Sequence, residues 1–156
     1  YLSKKNNHAV ELQQELLSTP KMESLTDDVT RKIDLVNSYI IELESSAEKI
    51  GTSKDTKVFR DKMKKRVEGI GKEIAYTKEL IEDIEHLNLS KASDQEKRQK
   101  ILKRLVASLT EATGKFSKVS NLITTREKQT IAIEQEVVKH QHSTDQTQDV
   151  QKAMFD

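Results

Sequence analysis

The residues best suited to chemistry are few and scattered along the chain. Four histidines and no cysteine stand among 156 residues, which excludes disulfides and thiolate metal sites and leaves any metal to His, Asp and Glu. Glu136, His140 and His142 form the one candidate cluster. Only Glu136 and His140 share a helix face at i, i+4, and their polar surroundings read as linker. Gly69-Ile70-Gly71-Lys72 has the look of a phosphate loop, but GxxxxGK[ST] needs Gly where Arg66 stands and Ser or Thr where Glu73 stands. A glycine pair inside a helix, marking close packing or a bend, accounts for it better. Residues 62–66, basic except for Met63, suggest an import or nucleic-acid patch. No stacking aromatics accompany them, so a solvated helix face is the better reading. Asn88-Leu89-Ser90 matches a glycosylation acceptor, a short and common pattern. No Ser, His and Asp fall on elements that would converge. These residues call for no catalytic site, no cofactor and no metal.

Composition points to long helices. Apolar residues make up 34 % of the chain and charged residues another 34 %, with four Gly, one Pro and no Trp. Sandwiches and barrels need turn residues every 8 to 12 positions, and so few Gly and Pro argue against them. Leu, Ile, Val and Phe number 14, 12, 10 and 3, enough for a lean core and above the level at which charged chains stay disordered. Twenty-seven basic and 26 acidic side chains leave a net charge of +1, so bulk charge favours neither nucleic acid nor membrane. No apolar run approaches the ~18 residues of a membrane span. Because the chain begins at Tyr1 rather than Met, it reads as a fragment, and the lack of cysteine fits the cytosol.

Three apolar stripes at steps of three and four dictate three helices. The first runs from Leu25 through Val29, Ile33, Val36, Ile40 and Leu43 to Ile50, and Gly51 follows where a left-handed cap belongs. The second, after an N-cap at Asp55, runs Phe59, Met63, Val67, Ile70, Ile74, Ile81 and Ile84, with Thr77 filling the gap. Ser93 with Glu96 makes a capping box before the third: Ile101, Leu105, Leu109, Ala112, Phe116, Val119, Ile123, then Thr130, Ile133 and Val137, with Arg126 at the heptad position between. These patterns place helices over about 22–50, 55–87 and 93–139. Before them, residues 1–21 form a flap or short helix that Ser18-Thr19-Pro20 interrupts; after them, residues 140–156 read as polar linker. The third helix outreaches its neighbours, so its C-terminal third projects or frays.

Short loops fold these stripes into an all-α, antiparallel, up-down-up three-helix bundle with a core of Val36, Ile40, Phe59, Ile70, Ile74, Leu105, Leu109, Phe116, Val119 and Ile123. Charges fit that topology: folding the second and third helices about Lys91 sets Glu79, Glu82 and Glu85 beside Lys103, Lys100 and Lys97. The first loop likewise brings Glu42, Glu44 and Glu48 towards Lys57, Arg60, Lys62 and Lys64. A second strip, Tyr76, Leu80, Leu102 and Val106, falls level across that same hairpin. It either widens the core or lines a groove for an amphipathic partner helix.

The order of segments resembles a known family. Residues 50–60, Ile-Gly-Thr-Ser-Lys-Asp-Thr-Lys-Val-Phe-Arg, are similar to the first-loop signature of endosomal and vacuolar syntaxins. In the third helix Gln95-Glu96-Lys97-Arg98-Gln99-Lys100-Ile101, Arg104-Leu105-Val106, Leu109-Thr110, Phe116-Ser117-Lys118-Val119 and Arg126-Glu127-Lys128 follow the syntaxin-7-like subgroup in order and spacing. The likeness covers about residues 23–135. It implies the N-terminal Habc domain of a Qa-SNARE: a non-catalytic regulatory module, monomeric by itself, on the cytosolic face of endosomal or vacuolar membranes. Its implied partners are SNARE proteins, SM-family and tethering proteins, and its own SNARE helix by fold-back. Tyr76, Leu80, Leu102 and Val106 are the physical candidates for that docking, and a SNARE motif and C-terminal anchor would lie past Asp156. The rivals are a spectrin-like or coiled-coil spacer, which usually carries a core tryptophan, and a curvature-binding helical dimer with a concentrated basic face.

Overall fold

The computed structural model describes the backbone of residues 2–155 and the side chains of residues 19–141. Three helices, α1 (Leu2–Ala47), α2 (Lys57–Glu85) and α3 (Ala92–Phe155), pack against one another with no strand among the described residues. Cross-helix contacts fix their directions. Glu23 meets Lys97 and Ala47 meets Arg126, so α1 and α3 run parallel. Lys32 meets Glu73 and Ser46 meets Arg66, so α2 runs against α1. The all-α up-down-up bundle with a long third helix is therefore the fold.

Its core divides into two buried clusters along the axis. The cluster at the α1–α2 loop end holds Val36, Ile40, Leu43, Ile70, Val119 and Ile123, with half-buried Phe59, Ile74 and Phe116 against it. The other end holds Met22, Val29, Ile33, Ile84, Leu105 and Leu109, and Ile74 packs against this one too. Full burial of each such side chain stabilises by roughly 1.5 to 3 kcal/mol. Thr77, wholly buried at the gap in the α2 stripe, donates its hydroxyl to the Glu73 carbonyl at 2.6 Å.

Several local expectations give way to other chemistry. Pro20 does not break α1, which passes through it. Pro20 is exposed, so the backbone bond it cannot make is lost on the solvent side, while Met22 and Val29, both fully buried, hold the next turns. The helix also continues beyond the linker boundary at residue 140, to Phe155. At the first loop α1 ends at Ala47, a turn earlier than the stripe suggests, and Gly51 then adopts φ +81°, the left-handed value that glycine reaches without strain. Asp55 is not the N-cap of α2. Thr56 is, its Oγ1 accepting from Phe59 N at 3.1 Å. Ser93 lies inside α3, and the second loop is fastened instead by Gln95, whose Nε2 donates to the Leu89 carbonyl at 2.7 Å, and by Arg98, which donates to that of Leu87. Gly69 and Gly71 mark neither close packing nor a break: a Cβ on either would meet nothing within 4 Å. Among the described residues Lys97 pairs with Glu23 across α1 and α3, not with Glu85.

Candidate interaction surfaces

Where the described side chains concentrate polar and apolar groups, they do so in surface grooves. Among the described residues no three His, Asp or Glu side chains gather to hold a metal; His142 lies outside the described side chains.

One groove runs between α1 and α2. Tyr76 and Leu80 line it with Asp28, Arg31, Lys32 and Leu35. Lys32 spans it: its Nζ donates to Glu73 Oε2 at 3.0 Å and lies 5.3 Å from the centre of the Tyr76 ring, a cation–π distance. The hydrogen bond from Lys32 to Glu73 holds the Lys32 ammonium above its ordinary pKa. Further along, Tyr39, Glu42, Arg66 and Gly69 line the next stretch, where the missing Gly69 side chain leaves a notch. Leu102 and Val106 do not line this groove. Leu102 is half-buried against the core and Val106 is half exposed, both on α3. The hairpin register that paired 80 with 102 and 76 with 106 fixes only height along the axis. At about 100° per residue, Tyr76 and Leu80 stand on the α1 flank of the Ile70–Thr77–Ile84 line, and the four residues divide between surfaces.

A second groove runs between α2 and α3. Met63 and Val67 face Ser120, Ile123 and Ile131, with Arg60, Lys64 and Glu127 at its margins. Ser120 Oγ is buried there without a hydrogen-bond partner. Past the bundle the groove passes Ile131 to a shallow surface lined by Glu134, Gln135 and Val138. Ile131 and Val138 are 46 % and 64 % exposed. The basic run 62–66 splits between these surfaces: Lys64 borders this groove, while Arg66 reaches towards α1 and donates to Ser46 Oγ at 3.2 Å. Five consecutive residues cover more than a helical turn, so they form no single basic patch.

At the α1–α2 loop a polar network crosses all three helices. The Asp55 carboxylate, 2 % exposed, accepts from Gly51 N at 2.8 Å and from Arg60 Nε and Nη2 at 2.7 and 3.1 Å. The Arg60 hydrogen bonds, helped by the Gly51 amide, hold its pKa below the usual carboxylate value. Arg60 Nη2 also lies 3.5 Å from Glu134 Oε1 of α3. From α3, Arg126 Nη1 donates to the Ala47 carbonyl at 2.7 Å. Sequence reasoning missed this network. Its one signal was an arginine at a heptad position of an otherwise apolar or small-residue stripe.

The model of the family described as syntaxin-like protein matches residues 25–154, which takes in α1 from Leu25 onward, all of α2, α3 to Met154 and both grooves. No curated protein and no solved structure matches the chain.

Proposed function

Because the chain belongs to the syntaxin-like family, a class of SNARE-related helical regulatory domains, we propose that it acts by binding within the SNARE pathway at endosomal or vacuolar membranes and carries out no catalysis. We assign this role to a domain of residues 22–139, in which the described side chains are buried as far as Ile123 and the start of α1 precedes it as a flap. The carrying observation is the α2–α3 groove, which has an apolar floor of Met63, Val67 and Ile123 and continues over exposed Ile131. An amphipathic helix laid there buries its apolar face, the helix-in-groove mode of recognition. A SNARE helix, from a partner or from the same polypeptide, has that form. The α1–α2 groove with Tyr76 and Leu80, and the separate Leu102 and Val106 surface, are the docking candidates for SM-family and tethering partners.

Titration of the purified chain with a synthetic Qa-SNARE helix, followed by fluorescence anisotropy, tests this reading. The Val67→Asp, Ile131→Asp double variant is expected to weaken binding more than tenfold, a loss of more than 1.4 kcal/mol. The Tyr76→Ser, Leu80→Ser variant is expected to leave that affinity unchanged and to weaken SM-family binding. Unchanged SNARE-helix affinity in the first variant would remove the groove assignment. A helical spacer is the rival reading, favoured by the run of α3 past the bundle, and it predicts no affinity for a SNARE helix at all.

A further inference from the structure

The hydrophobic grip on α3 ends before the helix does. Among the described residues Ile123 is its last buried one, and every residue from 131 to 141 is exposed. Helices without tertiary packing are marginal in water, so what joins residues 127–141 to the bundle is polar. Among the described residues two polar contacts, from Arg126 and to Glu134, and one close approach at Thr130 hold this stretch at the α1–α2 loop. Arg126 donates to the Ala47 carbonyl at 2.7 Å, which also accepts from Ile50 N at 3.3 Å in the turn that ends α1. Thr130 Oγ1 lies 3.1 Å from where a Cβ on Gly51 would stand, so the loop backbone rests close against α3, and a side chain there would need the Thr130 hydroxyl to give by a few tenths of an ångström. Arg60, held at two nitrogens by the buried Asp55 carboxylate, extends its third contact to Glu134.

We propose that Asp55, Arg60, Arg126 and Glu134 form a latch that couples the α1–α2 loop to the projecting segment of α3. Closed, it makes residues 127–141 move as an extension of the bundle. Opened, by a ligand that grips the loop or by loss of one charge, it frees that segment while the two buried clusters stay intact. Asp55 is the fixed member, because its oxygens are already committed to Gly51 and Arg60. Glu134, 62 % exposed and at the longer distance, is the contact that exchanges. Arg60 and Glu134 also border the α2–α3 groove and its continuation, so a partner seated there would meet two members of the latch.

Hydrogen exchange followed by mass spectrometry on the whole 156-residue chain tests the latch. The Arg126→Gln, Glu134→Gln double variant leaves the loop sequence untouched, and it is expected to speed exchange in residues 127–141 about tenfold by releasing local opening alone. Amides of residues 33–43 and 70–84, within the buried clusters, are expected to keep wild-type rates. Arg60→Gln, made from the α2 side, is expected to speed the same α3 segment, and Arg126→Lys to restore part of the protection. Unchanged exchange in residues 127–141, or exchange there already complete in the wild type, overturns the proposal. So does an equal acceleration across the whole bundle, or an Arg60→Gln effect confined to the loop.

Discussion

Gly51 and Gly69 are chemically identical and structurally opposite. Gly51 has φ +81° and the Thr130 hydroxyl 3.1 Å from its missing Cβ, whereas a Cβ at Gly69 meets nothing. Gly51→Ala is therefore expected to cost about 1 to 2 kcal/mol from backbone conformation alone. Gly69→Ala and Gly71→Ala are each expected to stabilise α2 by up to about 1 kcal/mol. Urea midpoints of the three variants decide the signs. Asp55 adds a pH dependence. Its folded pKa is depressed, chiefly by Arg60 and then by the Gly51 amide. The folded protein thus binds that proton less readily than the unfolded chain, so the stabilisation is complete above the unfolded carboxyl value and is lost as pH falls through the folded one. The stability deficit of Asp55→Asn at neutral pH is expected to shrink below about pH 4, measured as urea midpoints at both pH values.

At the scale of the element, what could be read from the sequence was the periodicity, because core burial imposes steps of three and four that solvent-facing positions do not disturb. The ends were harder. Thr52, Ser53, Asp55 and Thr56 all offer oxygens to a helix start, and tertiary contact decides among them: Asp55 is drawn away by Gly51 and Arg60, leaving Thr56 to cap α2. Ser93 loses its cap role for a different reason, since α3 already begins at Ala92 and leaves it inside the first turn. Proline misled because its penalty was weighed without knowing that Pro20 faces solvent. Pro20→Ala restores one backbone donor to α1, and it is expected to raise far-UV helical ellipticity without moving the core transition, since the buried clusters begin at Met22.

For the whole molecule, register along the axis was legible and rotation about it was not. Summing residue numbers across a hairpin gives height, but Tyr76 and Leu80 needed the α1 contacts of Lys32 and Leu35 to be placed on a flank. The α2–α3 groove escaped for a related reason, since Ser120 and Ile131 belong to it by position between helices and not by spacing within one. The two core clusters share Ile74, which makes them parts of one cooperative unit. Leu43→Ala at one end and Ile84→Ala at the other, both fully buried, are each expected to cost about 2 to 5 kcal/mol. Calorimetry should show each lowering the same single transition; two separate transitions would mean that the clusters melt independently.

From Ile123, the last buried residue among those described, to Phe155, α3 runs another 32 positions, some 48 Å at the helical rise. It is a lever with its fulcrum at the first loop. A tilt of about 5° there, small enough to be absorbed by side-chain adjustments among packed helices, sweeps the far tip through roughly 4 Å at that length. A shift too slight to disturb the core can thereby be read out at a distance, as a change in where the tip points.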